Sequence, residues 1–203
     1  IVEVFDQLTL KVKTETAGKT TKEVIRSISK IWNLSVSVDP AARIQLFSEV
    51  PFNDELQGVT SGTAMAIVLK SAGLIMLPDK PIGSDVRIRI TKPVKDLESW
   101  PVGWESSQNL GKTAPDLFNE LSVDIKNTEI SKTVIAIRQR LQTPVFFDYA
   151  SIAKRGISLD KKVNVPAGKI FYKKILDIAL SQAGLHSKVM VDEANQPFVW
   201  ISP

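Results

Sequence analysis

The sequence predicts an α+β protein built as two tandem copies of one small module, with helices packed on small antiparallel or mixed sheets. Three observations predict it. Alternating apolar runs are interleaved with runs at helical spacing, the same blocks recur in the same order, and each copy closes a helix on an Ala-Gly-Leu sequence before a final hairpin.

The first block of each copy alternates apolar and polar residues, Leu8–Lys13 and Leu121–Lys126, and is expected to be a half-buried strand. A helix follows in each. Val24, Ile25, Ile28, Ile31 and Trp32 in copy one, and Val134, Ile137 and Leu141 in copy two, recur at spacings of three and four. Glu23, Arg26, Ser27 and Lys30 then fall on the solvated side. Second strands are expected at Val36–Asp39 and Val145–Asp148, with Pro144 ending the helix before the latter.

The second helices, Thr63–Lys70 and Lys174–Ser181, stop at Gly73 and Gly184, each followed by leucine. Glycine lacks the β-carbon that penalises the left-handed conformation closing a last helical turn. Gly58-Val59-Thr60-Ser61-Gly62-Thr63 is expected to be a helix-start turn capped by Ser61 or Thr60, since the lysine of a phosphate loop is absent. The hairpins are Leu74–Leu77, a turn at Pro78–Gly83 and Val86–Ile90, then Val189–Val191, a turn at Asp192–Gln196 and Phe198–Ile201. Each copy thus reads βαββαββ, giving modules at 1–92 and 120–203. The segment 93–119, with Pro93, Pro101, Gly103, Gly111 and Pro115, shows no periodicity and is expected to be a linker.

Its two tryptophans, Trp100 and Trp104, either strap the modules by packing on them or form an exposed recognition patch. The final strands raise the same choice. Period two sends Arg87 and Arg89 to one face of the first copy, and Phe198 and Trp200 to the matching face of the second. These six residues are the candidate partner-binding positions; the competing reading makes the aromatic strand a buried seat.

Composition narrows the chemistry. Hydrophobic residues are 43% and charged residues 24% of 203, which is ordinary for a folded domain and excludes a disordered one. A net charge of +4 invites an anionic partner, but the basic residues are scattered, in pairs such as Lys161-Lys162 and Lys173-Lys174. Cysteine is absent, so thiolate chemistry and disulfides are excluded. The one histidine, His186, has no ligand-spaced companions, and Asp192-Glu193 and Asp54-Glu55 read as turn residues. No metal site, cofactor or catalytic residue is expected. No run approaches the roughly 20 apolar residues of a membrane span. The chain opens at Ile1 rather than Met, and is expected to be a trimmed piece.

The order of blocks, the helix stops Ser71-Ala72-Gly73-Leu74 and Ser181-Gln182-Ala183-Gly184-Leu185, and the strand-ending Asp39 and Asp148 resemble the secretin and TonB N-terminal short domain, STN. The resemblance covers nearly both halves and consists of structural residues. It implies a periplasmic or exported, non-enzymatic cell-envelope module that contacts another protein or self-associates, with no small-molecule substrate. The duplication departs from the family, as does the lack of secretin gate or receptor plug or barrel sequence after Pro203, and suggests an exported protein of two such domains or a fragment of a larger one. The alternatives are a polyanion or nucleic-acid binder, which would lack the Gly-x-x-Gly loop of KH domains, and a carboxylate-based enzyme.

Overall fold

The structure, a computed structural model, describes residues 2–46 and 49–203. It is a mixed α+β protein, 34% helical and 28% strand. The chain divides into two compact units, Ile1–Trp104 with Asp192–Gln196, and Glu105–Val191 with Pro197–Pro203. The division falls inside the segment 93–119, and the tip of the last hairpin counts with unit 1.

Unit 1 opens on a helix, α1 (Val2–Leu8), and the strand expected over Leu8–Lys13 does not form. Leu8 and Val12 are buried while Leu10 between them is exposed, so the run presents no single face. Val4 and Leu8, four residues apart, instead form the buried side of a helical turn. Helix α2 (Thr21–Ser29) starts at a capping box, in which the Glu23 amide donates to the Thr20 hydroxyl oxygen and the Thr20 amide donates to the Glu23 carboxylate. Val24, Ile25 and Ile28 are its buried stripe.

Strand β1 (Ser35–Val38) leads through a 3-10 turn at Pro40–Ala42 into the short α3 (Arg43–Leu46). Helix α4 (Ser61–Ser71), β2 (Ile75–Asp79) and β3 (Arg87–Thr91) complete the unit. The sheet order is β1-β3-β2, with β1 parallel and β2 antiparallel to β3. β2 continues through Pro78, which had been expected in the turn, because an edge strand tolerates a residue without an N–H.

The segment read as an irregular linker carries β4 (Trp104–Glu105), the one-turn α5 (Leu110–Thr113) and a 3-10 turn at Pro115–Phe118. Side-chain capping explains the helical turn, since the Asn109 Oδ1 accepts from the Gly111 amide. Unit 2 then runs β5 (Glu120–Glu129), α6 (Ile130–Arg138), β6 (Val145–Phe147), α7 (Tyr149–Lys154), β7 (Lys162–Phe171), α8 (Tyr172–Gln182), β8 (His186–Val191) and β9 (Pro197–Ser202). β5 and β7 form a two-stranded antiparallel sheet, and the other sheet has the order β4-β8-β9-β6. Val134 and Ile137 of α6 and Ile175, Leu176 and Leu180 of α8 meet Val163 and Val165 of β7 and Val199 and Ile201 of β9 in one core. Burying each such side chain contributes about 1.5–3 kcal/mol.

The two units pair their strands alike. Val36 and Val38 lie beside Ile88 and Ile90 in the parallel pair of unit 1, and Val145 and Phe147 lie beside Val199 and Ile201 in that of unit 2. Gly73 and Gly184 take φ of 70° and 73°, and in both cases the following leucine amide bonds back to the carbonyl of Leu69 or Leu180, closing the same helix stop. The difference lies in the two-stranded sheet. In unit 2 the β5–β7 ladder runs from Glu120↔Phe171, ahead of α8, to Glu129↔Lys162, ahead of α6. Among the described residues unit 1 has only isolated bridges at the corresponding ends, Lys11↔Thr60 ahead of α4 and Thr20↔Pro51 ahead of α2. Between them Thr16 bonds to Glu55 and to the Asp54 carbonyl in place of a ladder.

Candidate functional site

The final strands place unlike chemistry on equivalent faces. In unit 1, Arg87 donates to Asp79 opposite it on β2, at 2.7 and 2.9 Å, and Arg89 grips both oxygens of Asp39 at 2.9 and 2.7 Å. These bonds from Arg89, then one from Thr91, hold the Asp39 carboxyl below the usual carboxylate range. Both guanidiniums are about two-fifths exposed and already paired, so this face is a zipped ion-pair surface rather than an open cationic one.

In unit 2 the matching positions are Phe198 and Trp200, and of the two readings of this strand, reachable surface or buried seat, their burial fits the buried seat. Phe198 is 1% and Trp200 8% exposed. Phe198 meets the buried Phe146 ring at 5.8 Å, and Phe146 stands beside Trp200 across the β6–β9 pair. Rings of this size leave water when they find a pocket, and buried rings cannot meet an incoming partner. At the position matching Asp39, Asp148 accepts from the Ser151 amide and caps α7.

Trp100 and Trp104 are half-buried in unit 1. The Trp100 ring lies 6.1 Å from Phe5 and 5.7 Å, edge-on, from Trp104, and its amide donates to the Met76 carbonyl. Its indole N–H donates to Glu193 at 2.6 Å. Glu193 is the centre of this cluster: its carboxylate also accepts from the Thr60 hydroxyl, and from the Thr63 amide at 3.2 Å and hydroxyl at 2.8 Å. Asp192 accepts from the Thr60 amide at 3.2 Å. Thr60 is the cap position of α4, so a carboxylate sits where the helix leaves amides unpaired and its dipole favours negative charge. Gly62 leaves the space, because a β-carbon there would collide with the Glu193 carboxylate. The turn Gly58–Thr63 does receive an anion, and it is the protein's own.

Unit 2 presents a different feature that the sequence did not single out, the outer edge of β5. Leu121, Val123 and Ile125 are half-buried against the core, and with α6 they line a groove of about 290 Å³ that Lys132, Ala136 and Arg140 border. The outer edge of β7 is blocked by contrast. Gln182 bonds to both the amide and the carbonyl of Asn164, at 3.0 and 2.8 Å, and Pro166 has no N–H to offer. Among the described residues no side chain takes a backbone bond from Glu120–Ile125.

The acid–base inventory is sparse. His186 is exposed on β8 with its Nε2 3.3 Å from the Ser202 hydroxyl on β9. Asp148 follows β6 on the far side of β9, so the serine stands between histidine and acid, whereas nucleophile activation needs the histidine in the middle. One lysine of each basic pair is held by a carboxylate, Lys162 by Glu129 and Lys173 by Asp177. Among the described residues no group of three His, Asp or Glu stands where it could hold a metal ion, and no helix is long and apolar enough to cross a membrane. No family model, curated protein or solved structure matches the chain.

Proposed function

We propose that the chain is a non-enzymatic protein-interaction or assembly module of the cell envelope, built from two STN-like repeats. The envelope assignment rests on the resemblance of the repeated blocks to that family, and the interaction role rests on an observation of its own. β5 offers a seven-residue run, Glu120–Lys126, beside an apolar groove, with nothing covering its outer backbone edge among the described residues. Such an edge has unpaired N–H and C=O groups ready to bond an extended segment, and the groove takes alternate side chains of that segment.

The test is a photo-reactive residue at Ser122, Asp124 or Arg140 in the full-length protein in its native cells. A defined protein adduct that excess unlabelled chain competes away is the expected result, whether the adduct is to another protein or to a second copy. No protein adduct from any of the three positions would overturn the reading.

A further inference from the structure

We infer that the strand added at the edge of β5 is the β5 of a second copy, running antiparallel about a two-fold axis through Val123. This rests on the interaction role proposed above and names its partner. The argument is one of register. From Glu120 to Lys126 β5 alternates exposed and half-buried residues, although its pairing with β7 shifts register between Val123 and Ile125; beyond that run Asn127 turns to a φ of 46°, and Val123 is its midpoint. A two-fold at Val123 sets Glu120 opposite Lys126, Leu121 opposite Ile125, and Ser122 opposite Asp124, each pair occurring twice by symmetry.

Neighbouring registers fail on charge or on face. Moving the axis to Ser122 sets Glu120 opposite Asp124, and moving it to Asp124 sets that carboxylate opposite itself. An axis between two residues would set the solvent-facing row against the groove-facing row, because side chains alternate with a period of two. The register at Val123 alone matches charge, hydroxyl and apolar rows together.

The groove suits the same occupant. Leu121, Val123 and Ile125 are only half-buried in one chain. In a continuous four-stranded sheet they would gain apolar neighbours from the other copy, over the groove that Ala136 and Arg140 now leave open. Of the two strands of this sheet β7 is blocked by Gln182, and among the described residues the corresponding strand of unit 1 is reduced to isolated bridges, so the β5–β7 sheet offers its pairing through β5 alone. Isologous pairing through one edge closes as a dimer and does not propagate.

Sedimentation of the purified 203-residue chain across a concentration series reads the outcome. Lys126→Glu and Glu120→Lys each put like charges opposite one another twice, at exposed positions that leave the core untouched, and each should weaken the dimer about tenfold. Mixing the two variants restores opposite charges at both ends, so a heterodimer of wild-type affinity is expected. A dimer indifferent to both substitutions, or variants that fail to rescue one another, would overturn the β5 pairing. A chain that stays monomeric at all accessible concentrations also overturns it; if the Ser122 probe still captures a different protein, the interaction role survives and only the second copy is wrong.

Discussion

Thr60 donates its hydroxyl to the carboxylate of Glu193, a residue 133 positions further along the chain. With Thr63 and Trp100 also donating, the carboxylate fixes the start of α4 and the indole of Trp100 at one point. Glu193→Ala leaves those donors without an acceptor and should cost unit 1 about 2 kcal/mol, with Glu193→Gln costing about half as much because one acceptor oxygen remains. Denaturation followed by tryptophan emission checks both, and equal stability of the alanine variant and the wild type would refute the assignment.

Gly73 and Gly184 should respond alike to substitution. Both lie in the left-handed region, and nothing stands within 4 Å of the position a β-carbon would take, so the cost of alanine is one of backbone conformation alone. Gly73→Ala and Gly184→Ala are each expected to lose about 1–2 kcal/mol, and the asparagine variants less. A chemical-denaturation series on the four variants gives the ranking.

What the sequence made legible follows from how local each signal is. The helix stops at Gly73 and Gly184 and the stripe at Val24, Ile25 and Ile28 depend on neighbours within a few residues, and local order and spacing report them. The α1 helix was missed because its apolar spacing rests on Val4 and Leu8, and Leu8 also opens the alternating run that suggested a strand. Helix α7 was hidden because its capping residue, Asp148, also ends a strand. Glu193 read as a turn residue because its partners are distant in sequence, and strand alternation at Phe198 and Trp200 gives a face without saying whether that face is covered. The open edge of β5 was out of reach for a similar reason: an edge is defined by which strand is not beside it.

Asp116 should make unit 2 acid-sensitive. Burial alone would raise its carboxyl, but bonds from the Thr143 hydroxyl at 2.6 Å and from the Thr143 and Gln142 amides at 2.8 Å outweigh it and hold the group below the ordinary aspartate range. A depressed folded-state value means stability fully present above the unfolded value of about 4 and lost as pH falls through the folded one. Asp116→Asn should therefore cost about 1 kcal/mol near pH 7, allowing for partial exposure, and progressively less below pH of about 4. Parallel stability curves for variant and wild type across that window would show that Asp116 is not responsible.

Trp200 decides between structure and recognition at the aromatic strand. Its side chain is 8% exposed and stands beside Phe146 on β6, whereas the equivalent Arg89 of unit 1 is an exposed partner of Asp39. Truncating a buried indole removes its apolar contacts and leaves a cavity that the surrounding strands fill only in part, so Trp200→Ala should destabilise the protein by about 3–5 kcal/mol. Arg89→Ala should lose far less, because an exposed ion pair returns two groups to water without opening a void. The comparison is made by thermal and denaturant unfolding of the two variants side by side, with capture at the Ser122 probe measured under conditions where both remain folded. If Trp200→Ala keeps wild-type stability yet loses that capture, the ring is a contact for a partner and its burial describes only the free chain; if stability falls and capture by the remaining folded fraction persists, the aromatic strand is a structural seat and recognition belongs to β5.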